Sequence, residues 1–137
     1  MTLYLYQVRD WLKVLKLPVD YFYIGKLDAK KEKSLGVYSM KADRAARYVI
    51  GGDDNKTYQT KQVSLLVHFN KNQRETEAAA YSIYEKIKEQ RPEKIGEASV
   101  NFIRMLNEEP VDVATDEQGI YEFVIEFEIN YKKDRRK

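Results

Sequence analysis

The chain has no cysteine among its 137 residues, which removes disulfides, thiolate metal sites and cysteine nucleophiles together. It has a single histidine, His68, in the run QVSLLVHF. A Ser-His-Asp relay or a histidine-based metal site needs partners converging on the imidazole, and no recognisable spacing supplies them. Ser64 shares its strand face but sits ~13 Å along it. His68 therefore reads as a surface or cross-strand residue. Of six glycines, Gly51 and Gly52 are adjacent. They lack the G-x-x-x-x-G-K pattern, and the run after them reads as strand, so no helix N-terminus holds an anion there. No cofactor is expected. No apolar run approaches the ~18 residues of a membrane span, so no membrane partner is expected. The N-terminal MTLYLYQVRDWLKVLKLP is broken by Arg9 and Asp10 and lacks a basic region and a cleavage site, so it does not read as a signal peptide.

Charge of one sign is also scarce. The formal net charge is +2, yet the last six residues, KKDRRK, carry five positive charges and one negative. That tail holds +4 and the rest of the chain −2, so the sequence pI near 8.6 describes a tail, not a basic body. Nucleic-acid affinity is expected to be at most weak and non-specific. The domain reading is a single α+β domain over 1–131, followed by a basic, disordered tail over 132–137.

What is present is an unusually regular strand, GIYEFVIEFEINYKK, over 119–133. Tyr121, Phe123, Ile125, Phe127, Ile129 and Tyr131 alternate with Glu122, Val124, Glu126, Glu128 and Asn130. The segment YEFV is close to an aromatic RNA-binding strand, in which exposed rings stack on bases. Exposing those rings would turn three glutamates into the core, each costing several kcal/mol if unpaired. Facing the rings inward instead gains roughly 1.5–3 kcal/mol per large side chain. The aromatics are core, and Glu122, Glu126 and Glu128 form an outward acidic face with Arg104 as a candidate partner.

The remaining elements follow from periodicity. Tyr4, Val8, Trp11, Leu12 and Leu15 fall at helical spacing, with Pro18 as the stop. Strands are read over 19–27 and 35–40, separated by the charged loop DAKKEK. Residues 44–70 read as a hairpin around the turn GGDDN, whose return strand puts Val63, Leu65, Val67 and Phe69 on one face. Asn72 with Glu75 is a capping-box pattern, and Thr76, Ala80, Ile83, Tyr84 and Ile87 make an apolar stripe before Pro92. A mixed-face strand follows over 98–106, then a loop over 107–118. The expected fold is α+β, a mainly antiparallel or mixed sheet with two α-helices packed on one face. Asp53 with Asp54, and Asp112 with Asp116 and Glu117, lack calcium-loop spacing and read as turn residues. No metal or catalytic residue is assigned, and no enzymatic activity is expected.

VSLLVHFNKNQRETEAAAYSIYEKI (63–87) and EEPVDVATDEQGIYEFVIEFEINYKK (108–133) resemble the minor capsid proteins of long-tailed bacteriophages, and through them the tail-terminator or tail-completion proteins. The resemblance lies in the order of strand, turn, capped helix, strand, Pro-Val-Asp loop and long amphipathic strand. Ala114 departs from it, because a glycine is expected after PVDV. The resemblance implies a non-enzymatic virion protein, made in the bacterial host cytoplasm, acting at the head-tail junction. It implies self-assembly into a ring, commonly a hexamer, that caps the tail tube and meets the head-tail connector protein. Alternatives are another minor head-tail joining protein or a small nucleic-acid-binding domain. Candidate contact residues are Leu66, Val124, Glu122, Glu126 and Glu128 on the outer sheet face, with Ile103 and Met105 added from the mixed-face strand. Asp53 and Asp54 in the GGDDNK turn, and Asp112 and Asp116 in the 107–118 loop, complete the set.

Overall fold

Tyr121–Lys132 forms the longest strand among the described residues, and the sheet is built on both of its edges. The structure is a computed structural model that describes residues 2–40 and 57–132. In chain order the elements are α1 (Leu5–Lys13), β1 (Tyr21–Ile24), β2 (Ser34–Ser39), β3 (Tyr58–His68) and α2 (Gln73–Lys88). Then come β4 (Lys94–Ile95), β5 (Ala98–Met105), β6 (Val111–Thr115) and β7 (Tyr121–Lys132). The strand order is β1-β2-β3-β7-β5-β4, with β6 also paired to β7. β1 and β2 are parallel and the other pairings antiparallel, which makes the sheet mixed.

Alternation in β7 decides the inner face. Phe123, Ile125, Phe127, Ile129 and Tyr131 are each at most 5% exposed. Across β3 they meet Val67, Leu65 and Val63 in register, and Leu35 and Val37 of β2 continue the layer. At roughly 1.5–3 kcal/mol per large side chain, this face supplies much of the hydrophobic stabilisation. Val8 and Leu12 of α1 and Ala80, Ile83 and Ile87 of α2 belong to the same buried cluster. Trp11 brings its ring to 6.5 Å from that of Phe127.

α2 begins as its sequence requires. The Asn72 side chain accepts from the Glu75 backbone N–H at 3.0 Å. The reciprocal half of the capping box is replaced. Glu75 accepts from Asn70 Nδ2, and the Asn72 backbone N–H donates to Asn70 Oδ1. Thr76, Ala79, Ala80, Ile83, Tyr84 and Ile87 are the buried stripe, and the helix ends at Lys88, before Pro92. α1 likewise stops short of Pro18. Val14 caps it, and Lys16 has already turned to φ 60. Tyr4, expected in the apolar stripe, stands at the N-cap and is 55% exposed.

β3 pairs with β2 from Val63 to His68, while the expected partner arm over 44–50 and the GGDDN turn lie outside the described residues. Two expectations change. The 107–118 segment contains β6, all of whose residues are exposed. Residue 132, assigned to the tail, is the last residue of β7; 133–137 lie outside the described residues.

Candidate functional site

The outer face of the sheet can be read directly from its register. Leu66 of β3 sits opposite Val124 of β7, and Val111 of β6 flanks Val124 on the other side. An apolar row therefore crosses three strands. Ser64 and Glu126 pair on one side of it, His68 and Glu122 on the other. Leu66, Val124 and Glu126 are half-buried, while Val111 is 42% exposed. Leu66 and Val124 are legible on this face from sequence alternation, whereas Val111 is not, because β6 reads as loop.

Ile103 and Met105 are not on this face; both pack against the inner core. The cause is a register shift between Val100 and Phe102, where the strand bulges. A slip of one residue exchanges the two faces of a strand. Ile103 and Met105 thus face inward beside Ile129 and Phe127, while Phe102, 47% exposed, and Arg104 lie outward beside Asn130 and Glu128.

The acidic face divides into three environments. Glu126 is half-buried and accepts from Asn107 Nδ2 at 3.4 Å. Glu128 lies on the outer face as expected, yet it is only 5% exposed, covered by neighbouring side chains. Arg104 Nε and Nη2 both lie 2.8 Å from its Oε2, and Gln62 Nε2 donates to Oε1 at 3.3 Å. The cross-strand arginine expected from sequence is thus its partner. Glu122 approaches His68 Nδ1 to 2.7 Å.

His68 is cross-strand as expected, but it is not a surface residue, because its side chain is fully buried. The loop between β1 and β2 lies over it, and Nε2 is 3.0 Å from the Ala29 carbonyl oxygen. A carbonyl accepts, so Nε2 carries a hydrogen, and the short Nδ1–Glu122 contact needs a further proton between the two atoms. Asp116 Oδ2 stands 3.7 Å from Nδ1. Spacing along the chain supplied no partners for this histidine, yet topology supplies two. Tyr38 borders the region, and burial, then the charge of Glu122, push its phenol up.

The turn residues do what turn residues do. Asp116 Oδ1 accepts from the backbone N–H of Gln118 and of Ile120, at 2.9 and 3.0 Å. Asp112 is exposed and accepts from the Ala114 backbone N–H at 2.8 Å. Ala114 itself has φ 71, a left-handed conformation that favours glycine. That is why a glycine suits this position, and alanine is accommodated there with strain. Asp53 and Asp54 lie outside the described residues.

A groove between β5 and α2 is lined in part by Tyr84, Lys88, Arg91, Arg104 and Asn107. Tyr84 Oη donates to the Asn107 carbonyl at 2.6 Å, and burial pushes its phenol up. Tyr81, hydrogen-bonded to Glu109, is pushed up to about 12 by that bond. No residue lining the groove belongs to the His68 cluster. No described helix is long and apolar enough to cross a membrane.

Compared with known families, residues 5–133 match the model described as bacteriophage tail terminator protein. No curated protein matches the chain.

Proposed function

Because the chain belongs to the bacteriophage tail terminator family, a structural family of the phage tail, we propose that it caps the finished tail tube at the head-tail junction. The family match, which spans nearly the whole chain, carries this reading. The protein acts as a ring of identical subunits, a hexamer in our reading, between the tail tube protein and the head-tail connector protein. It performs this role without catalysis. Nucleic acid contributes no more than weak contacts through the basic tail.

In this reading both helices cover the inner face of the sheet, which frees the outer face for assembly. Leu66, Val124 and Val111 form the apolar centre of the subunit contact. Glu126 and Asp112 border it as a polar rim, the composition of a moderate, reversible interface. Among the described residues, the exposed strand β6 and the parallel edge strand β1 each pair on one side only, and their other edges suit contacts along the ring.

Sedimentation over a wide concentration range, with and without purified tail tubes, tests the reading. A ring should form on the tubes, with free chain monomeric at low concentration, since mass action and the tube both favour assembly. Paired substitution Leu66→Asp with Val124→Asp should leave a folded monomer that no longer joins the tubes. Wild-type chain that remains monomeric beside tail tubes would contradict the ring and favour a different minor joining role.

A further inference from the structure

His68, Asp116 and Glu122 reach one point from three parts of the fold: the end of β3, the turn after β6 and the start of β7. Their ligating atoms all lie within 4.8 Å of one another. His68 and Asp116 are each held in place by further contacts. The His68 imidazole is fully buried, and its Nε2–H is bound to the Ala29 carbonyl. That bond orients Nδ1 toward the two carboxylates, the outer-shell arrangement typical of a ligating histidine. Asp116 is fixed through Oδ1 by two backbone N–H groups. Its other oxygen, Oδ2, is buried and has no hydrogen-bond partner among the described residues. A carboxylate oxygen shut off from water without a hydrogen-bond donor is costly, so Oδ2 is open to a ligand.

We propose that this cluster binds one zinc-type divalent cation through His68 Nδ1 and the carboxylates of Glu122 and Asp116, with water as the fourth ligand. The site borders the proposed assembly row at the His68–Glu122 pair, but its ligands all come from one chain, so it does not require the ring. One imidazole with two carboxylates suits zinc, whereas calcium and magnesium favour all-oxygen sets. Binding displaces the proton shared by His68 and Glu122 to solvent, and two carboxylates then balance the two positive charges. Ligands about 2.0 Å from a tetrahedral zinc stand about 3.3 Å apart. The present separations of Nδ1 from Glu122 and Asp116, 2.7 and 3.7 Å, bracket that spacing. The carboxylates of Glu122 and Asp116, whose ligating atoms lie within 4.8 Å of each other, draw together to complete the site. The ion ties β3, β7 and the turn that joins β6 to β7 into one unit.

The chain has a single histidine and no cysteine, so its imidazole is an unambiguous reporter. Tag-free, chelator-treated full chain is titrated with zinc by calorimetry, and the His68 nitrogens are followed by NMR. The expected result is one zinc per chain, with Nδ1 shifting strongly while Nε2 keeps its proton. Asp116→Asn and Glu122→Gln should each weaken binding by about tenfold or more, and equal magnesium should leave the His68 signals unmoved. His68 resonances that stay in place at millimolar zinc overturn the proposal, as does equal affinity in both variants. Should a variant fail to fold, the wild-type nitrogen shifts alone decide between these outcomes.

Discussion

Removing the Arg104 guanidinium while keeping its stem, as in Arg104→Met, exposes how the acidic face is stabilised. Glu128 is 5% exposed and takes both Arg104 contacts on Oε2 at 2.8 Å. Breaking a fully buried pair from one side costs about 3–5 kcal/mol, and losing an exposed pair costs less than about 1. Here the carboxylate is buried, but the arginine side chain is 57% exposed, so solvent screens part of the attraction. The expected loss is about 1–3 kcal/mol, between the two limits. Gln62 still donates to the other oxygen and moderates the effect. Glu128→Gln in the same chain removes the charge that needs a partner, so the double variant should recover much of the loss. A double-mutant cycle by urea unfolding should return a coupling of about 1–2 kcal/mol. A single variant within about 0.5 kcal/mol of wild type, or a coupling near zero, would show that water already solvates this carboxylate.

Ile83→Asp places a charge in the cluster between α2 and the sheet and should cost several kcal/mol; an unchanged melting temperature would remove α2 from the core. Ala114→Gly relieves a left-handed alanine at φ 71 and should stabilise by about 1 kcal/mol, read from the urea midpoint; a loss would mean that the turn carries no strain. Burial pushes the phenols of Tyr131 and Tyr84 up, as it does for Tyr38. The unfolded chain releases these protons near pH 10, and the folded chain holds them to higher pH. Stability is therefore full below about pH 10 and declines as pH rises through the raised folded values. A melting temperature that stays flat through that alkaline window would contradict the burial of these rings.

The parts of the fold governed by strict periodicity are legible in the sequence. In β7 the alternation assigns each large apolar residue inward, and in α2 the stripe from Thr76 to Ile87 and the Asn72 cap are found as read. Cross-strand pairing of Arg104 with Glu128 was legible too, because it needs only two neighbouring strands of opposite charge. Alternation alone puts Ile103 and Met105 on the wrong face, because a bulge has no periodic signature and its single extra residue inverts everything beyond it. β6 was missed for a different reason. It is exposed throughout and follows an acidic, proline-containing stretch, so nothing in its composition marks burial. The His68 cluster was hidden by distance along the chain. Asp116 and Glu122 lie far from His68 in sequence, and only the β3–β7 register and the turn after β6 bring them together.

The claim that this chain closes the tail tube is tested most directly by locating it on assembled tails. Electron microscopy of tails carrying an epitope-labelled copy of the chain should place the label on one end of the tube only, the end that joins the head. Tails assembled without the chain should fail to join heads, and added purified chain should restore joining. Label along the shaft or at the distal end, or normal joining in its absence, would contradict the account.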